Sequence, residues 1–306
     1  MRTSIAFFHF GGESFLEIVE FEQWLFTEGK ADKTIESYVS DIKGFQSYLQ
    51  DKLKDAPVLS RFSFVKYKER LMKEGYAVST INKKINSLKV YNDFLRTKGV
   101  ISESFIQLKR DRIKIAAGSE DDVAALSEEQ VEQLLFYVEN RSKVSARNKL
   151  IIYLLLYTGV RVSELVGIKI ADVDFLTSQL TVIGKGGKRR EIGLRQDVLQ
   201  LIKDYMNEER SESNFRHSDY LLVSQRAEKM HRDAVRDWLA KISKELGFKL
   251  HPHLFRHTFC TRLLKKGVDL TTVSKLAGYP SLNMTARFYV QTIKRTLAQS
   301  QGSFDR

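Results

Sequence analysis

Residues Leu150 to Tyr157, LIIYLLLY, carry apolar side chains on nearly every side of a helix and leave almost no face for water. A helix of that kind has to be enclosed by other elements. Gly159 supplies its stop, since glycine accepts the left-handed conformation that closes helices. The flanking chain offers the covering layer. Ser127 and Gln130 have capping-box spacing and are followed by Val131, Leu134, Leu135 and Val138 on one helical face. Val198, Leu201, Ile202, Tyr205 and Met206 repeat the pattern, as do Val235, Trp238, Leu239, Ile242 and Leu246. The polar stretch SESNFRHSD separates these two.

Between the central helix and the first of these faces lie three strand-like pieces, Val173 to Phe175, Leu180 to Ile183 and Arg190 to Leu194. GKGG, residues 184 to 187, reads as the turn of a hairpin. It lacks the spacing of a phosphate-cradling nucleotide loop. Lys188, Arg189 and Arg190 read as phosphate or surface contacts.

The N-terminal part predicts helices over 13–29, 32–50, 63–74 and from Ser79 to just before Gly99, with Asp32 and Ser79 as candidate caps. Ile81, Ile85, Leu88 and Leu95 form the apolar line of the last, and Lys83, Lys84 and Lys89 fall on its other faces. Residues 109–124 lose periodicity and pass from basic to acidic, as a linker does. The expected domains are therefore 1–108 and 125–306.

A chain of 306 residues with 42% apolar content supports two such cores. The formal charge of +12 favours an acidic polymer as partner, because each neutralised DNA phosphate releases condensed counterions. The single cysteine, Cys260, sits in the apolar rhythm of its helix and reads as a small core residue in a reducing cytoplasm. The apolar run at 5–10 is too short for a signal-peptide core, and no stretch approaches a membrane span.

LHPHLFRHTF, residues 250 to 259, begins a helix at Pro252 and sets His253 and Arg256 three residues apart on one face, a seat for a phosphate. His257 points elsewhere around the helix, and His217, His231 and His251 read as surface or capping residues. The motif HPHLFRHTF followed at a distance by Tyr289, together with TGVRVSEL at 158–165 and VIGKGGKRREIGL at 182–194, resembles the tyrosine recombinase, or phage integrase, family. The match is to its compact Xer-like or transposon-encoded members.

The resemblance implies a mainly α fold: an N-terminal four-helix, SAM-like core-binding domain that clamps DNA, then an α-rich catalytic domain with a small antiparallel sheet. It implies Tyr289 as nucleophile, Lys185 as the acid for the leaving 5′ oxygen, Arg161 and Arg256 as the charge clamp, and His253 in proton transfer or phosphate contact. It implies a 3′-phosphotyrosyl link, a Holliday junction, a homo-tetramer on a double-stranded recombination site, optional accessory proteins, and no cofactor. The tail beyond Tyr289 corresponds to one that docks on a neighbouring protomer in relatives. Where relatives carry histidine or tryptophan, this chain has Tyr279, and two phenols compete for the nucleophile's role. A type IB topoisomerase-like enzyme and a DNA-binding regulator without catalysis are the alternatives.

Overall fold

The computed structural model describes residues 13–52, 59–114, 125–140 and 144–279, with side-chain surroundings from 17 onward and the Lys185 side chain excluded. The chain divides into two units, 1–120 and 121–306.

The first unit holds α1 (Glu13–Thr27), α2 (Asp32–Lys52), α3 (Arg61–Lys73), α4 (Val78–Thr97) and the single turn α5 (Leu108–Asp111). Phe21, Ile42, Phe45, Phe64, Tyr91 and Leu95 meet in its core, and the predicted line Ile81, Ile85, Leu88 and Leu95 is buried. Two starts differ from expectation. Ser60, with Ser63 as its reciprocal partner, caps α3, and α4 begins after Ala77, so Ser79 lies in its first turn. Asp32 is likewise the first residue of α2. There its carboxylate favours the positive helix end.

Lys83 and Lys84 are not simply solvated. Both reach the buried carboxylate of Asp41 on α2, at 3.1 and 3.2 Å, and the Ser87 hydroxyl donates to its other oxygen at 2.7 Å. A buried carboxylate costs several kcal/mol unless it is paired and hydrogen-bonded, and this one is both. Lys89 pairs with Asp93 along its own helix.

The start of the expected linker is also ordered against this unit. Asn82 exchanges two hydrogen bonds with the backbone of Ile113, and Arg112 donates to Asn86. Asp111, buried, accepts from the Gln107 amide and pairs with Arg61 at 2.7 Å. The loss of apolar periodicity here reflects the single turn α5 and the residues after it, which are held by polar side chains and not by an apolar face. Residues 115–124 of the expected linker, the run at 5–10, Tyr289 and the tail after it lie outside the described residues.

The second unit runs α6 (Glu128–Asn140), α7 (Ala146–Thr158), α8 (Val162–Leu165), a 3₁₀ turn (Ile170–Asp172), β1 (Val173–Asp174), β2 (Gln179–Ile183), β3 (Arg189–Gly193), α9 (Gln196–Asn207), α10 (Arg232–Leu246), α11 (Pro252–Lys265) and α12 (Leu270–Ala277). The sheet is antiparallel in the order β1-β2-β3, with Leu180 opposite Ile192 and Val182 opposite Arg190. As its composition demands, α7 is the centre of the core: Leu150 through Leu156 are all buried. Ser127 and Gln130 form the reciprocal cap of α6 at 3.2 and 3.0 Å. His231 and His251 cap α10 and α11. Among the described residues no helix is long and apolar enough to cross a membrane.

Gly159 closes α7 with φ 59°, and a Cβ there would stand 2.3 Å from Cδ1 of Phe259 on α11. Both the backbone and the space require glycine. Gly159→Ala is expected to lower unfolding stability by about 2–4 kcal/mol, since left-handed strain and overpacking act together. Denaturant unfolding measures it, and a loss under about 0.5 kcal/mol, the ordinary range for surface changes, would contradict the close contact.

Candidate active site

The sharp turn at Gly159 delivers Arg161 to the N-terminal cap of α8. Glu164, one turn on, accepts from the Arg161 backbone N–H at 2.8 Å and from its Nη1 at 2.7 Å. The R-x-x-E spacing thus makes a real ion pair, and the Arg161 side chain stays 32% exposed while the Glu164 side chain is 4% exposed. Arg161 Nη2 continues to the carbonyl of Gly278, at 2.8 Å. One guanidinium therefore joins the start of α8 to the end of α12 and still presents a face outward.

Arg256 lies deeper, at 2% exposure, in the first half of α11. Its Nη1 donates to the Gly159 carbonyl at 2.8 Å, and its Nη2 donates to the carbonyl of Ala277. The guanidinium carbon sits 4.4 Å from the centre of the Tyr279 ring. Burial pulls the Arg256 pKa down from its usual value, with the phenol of Tyr279 opposing.

His253 is one turn before Arg256 and faces solvent. Its pKa is lowered, first by partial removal from water and then by His251, Arg256, Arg161 and Arg236. The neutral imidazole is favoured, able to accept or donate a proton. Lys185 begins the 3₁₀ turn Lys185–Gly187 that joins β2 to β3. The structure thus brings Arg161, Arg256, His253 and Tyr279 together and sets Lys185 on a hairpin whose β3 strand returns to them through Arg190.

Arg190 corrects the sequence reading, which placed it among surface or phosphate contacts. Its side chain is 12% exposed. Nη1 and Nη2 hold the two oxygens of Glu164 at 3.1 and 2.8 Å, and Nε donates to the Leu276 carbonyl at 2.8 Å. Strand alternation carries the signal: two residues before the buried Ile192, position 190 shares its inward face.

Three arginines therefore grip three successive carbonyls at the end of α12: Arg190 on Leu276, Arg256 on Ala277, Arg161 on Gly278. A helix C-terminus is a partial negative charge, so guanidinium groups gather there at little cost. Tyr279 follows directly. Its hydroxyl pKa is raised, mainly by burial and then by Cys260, while Arg256 opposes. Cys260 is fully buried and its thiol is pushed up to about 11, so it stays protonated as the core residue its position suggested.

Arg190 and Arg161 hold the Glu164 carboxyl below the usual carboxylate range, against the opposing effect of its burial. The stability this contributes is complete above the ordinary carboxyl pKa and is lost as pH falls through the depressed one. Glu164→Gln is expected to flatten the acid side of the stability profile and leave its neutral-to-basic side parallel to the parent's. Urea unfolding across pH measures this, and an unchanged acid slope would show that other carboxylates govern it.

A model described as the phage integrase family matches residues 124–295, and a phage integrase N-terminal SAM-like domain matches 18–99. The chain belongs to the phage integrase family. Its N-terminal unit is the SAM-like domain and its second unit the integrase catalytic domain. The tyrosine recombinase XerC of Staphylococcus saprophyticus is 39% identical over 163 residues, 53% of this chain and 55% of that protein. The chain spans about half the length of the XerC relatives it matches. The TnP I resolvase of Bacillus thuringiensis is 32% identical over 274 residues, 87% of this integrase-family chain and 92% of that protein. A crystal structure of the XerH site-specific recombinase bound to a palindromic difH substrate superposes with a TM-score of 0.71 at 23% identity, covering 89% of this chain and 80% of that one. That likeness shows the shared fold.

Proposed function

We propose that this integrase-family chain is a site-specific DNA recombinase that cuts and rejoins duplex DNA through a tyrosine, acting in the cytoplasm. The observation that carries the reading is the convergence of Arg161, Arg256 and His253 at one edge of the integrase domain, from segments far apart in sequence. Cleaving a phosphodiester without water requires a nucleophile, a proton for the leaving alkoxide, and cations around a phosphorane with added negative charge.

In this reading the Tyr289 oxygen forms the new bond to phosphorus as the bond to the 5′ oxygen breaks. Lys185 protonates that oxygen. Arg161 and Arg256 hold the non-bridging oxygens, His253 shuttles the phenol proton or contacts the phosphate, and Tyr279 donates its hydroxyl hydrogen where relatives use histidine or tryptophan. The 3′-phosphotyrosyl link conserves the energy of the broken bond, so the 5′ hydroxyl of another strand can expel the tyrosine without ATP. Repeating this on both duplexes passes through a Holliday junction, within a homo-tetramer on the recombination site, with accessory proteins where the site demands them. Residues 1–108 clamp one side of the DNA, 109–124 connect, and 125–306 carry the chemistry.

The test uses duplexes selected from a random pool for binding to the chain, resynthesised with a nick that lets the cut fragment leave. A covalent protein–DNA adduct, and recombinants from a plasmid carrying two copies of the cleaved sequence, are the expected results. Relaxation of supercoils on any plasmid, with no dependence on that sequence, would instead support topoisomerase action. Binding with no adduct would leave a regulator.

A further inference from the structure

We propose that Arg190 is a positioning residue for the cleavage reaction, acting through Glu164 on Arg161 and through the end of α12 on the segment that follows it. The inference rests on the recombinase reading above. Arg190 has little to offer a substrate directly: all its nitrogens are engaged within the protein, two on Glu164 and one on Leu276. Arg161 is different, with one nitrogen on Glu164, one on Gly278 and a third of its side chain exposed.

Glu164 is the shared element. Its Oε1 accepts from Arg161 Nη1 and Arg190 Nη1, and its Oε2 accepts from Arg190 Nη2 and the Arg161 backbone. The carboxylate therefore has its orientation fixed from the β3 side by a bidentate fork, a geometry that lysine cannot reproduce. If the fork is lost, Glu164 keeps only its two bonds from Arg161 itself, and nothing on the β3 side fixes the direction of that pair. A second observation points to the same contact. Gly278 has φ 63°, and a Cβ there would lie 2.9 Å from Arg190 Nη1 and 3.1 Å from its Cζ, so the main chain at the end of α12 is shaped around this guanidinium.

Because β3 follows directly on the turn holding Lys185, one side chain ties the hairpin, the Glu164–Arg161 pair and the end of α12. A displacement of about 1 Å in such a frame typically costs about 10²-fold in rate, with binding little affected.

The experiment measures the full chain, Arg190→Lys, Arg190→Met, Arg161→Lys and the Arg190→Lys/Arg161→Lys double variant on the selected nicked duplexes. Gel-shift affinity, adduct-formation rate and thermal midpoint are read for each. The expected result is affinity within about threefold of the parent in the two single Arg190 variants, an adduct rate lower by about 10²-fold in Arg190→Lys, and a double variant scarcely slower than Arg161→Lys alone, since coupled residues are not additive. A positioning role also moves the pH profile. Without the fork, Glu164 retains Arg161 as its cationic partner, its pKa rises, and the acid limb of the adduct rate shifts to higher pH.

Parent-like adduct rates in both Arg190 variants, or losses that multiply in the double variant, would overturn the proposal while leaving the recombinase reading in place. A uniform fall in rate that only follows a lowered thermal midpoint would overturn it too. If the parent forms no adduct on any selected duplex, the recombinase reading fails and this role fails with it. Should Arg190→Met not fold, Arg190→Lys carries the test.

Discussion

Tyr289→Phe is expected to abolish covalent attachment to DNA while gel-shift binding survives, and Tyr279→Phe is expected to keep attachment at a reduced rate. The surroundings of Tyr279 argue for this division. Its ring lies under the Arg256 guanidinium, and burial raises its hydroxyl pKa despite the nearby cation. A nucleophilic phenol has to shed its proton near neutral pH, against an ordinary value of about 10. Tyr279 is held away from that state.

As a hydrogen-bond donor it remains useful. Removing one donor to a developing oxyanion costs about 10²- to 10³-fold in rate, whereas removing the attacking oxygen leaves nothing to form the bond. The measurement is the adduct on denaturing gels. An adduct that persists in Tyr289→Phe and disappears in Tyr279→Phe would reverse the assignment.

Arg256→Ala is expected to fail twice, in stability and in rate. The side chain is buried and serves the carbonyls of Gly159 and Ala277, so its loss strands two acceptors and opens a cavity. An unsatisfied buried acceptor costs about 1–3 kcal/mol, which puts the loss at about 3–5 kcal/mol once the cavity is included. Arg256→Lys keeps the charge as a point and gives up the planar fork. Its adduct rate is expected to fall by about 10²- to 10³-fold. Denaturant unfolding and adduct kinetics separate the two effects, and an Arg256→Ala variant as stable as the parent would contradict the burial described.

Much of this was legible in the residues. The all-round apolar run required a buried α7, the spacing of Ile81, Ile85 and Leu88 located the inner face of α4, and Gly159 ended α7 in the left-handed conformation expected of it. Arg161, His253, Arg256 and Tyr279, named from three separated stretches of the chain, lie together. The shortfalls share a physical cause. Arg190 and Arg210 both bind main-chain carbonyls, and a carbonyl has no letter in a sequence. Arg210 is buried and holds the oxygens of Arg216, Ser218 and Tyr220, fixing a loop that reads only as polar. Ser60 was missed as a cap for a related reason, since its partner Ser63 is a serine where the usual capping box has glutamate or glutamine.

The grip on α12 bears on how the protein becomes competent. The bonds to Gly278 and Leu276 span 117 and 86 residues of chain, so each requires segments far apart in sequence to be docked. Contacts of such long sequence separation carry a large loop-closure cost, so they depend on the rest of the scaffold being in place. A partly opened chain in which these distant contacts are broken therefore lacks a finished cation cluster.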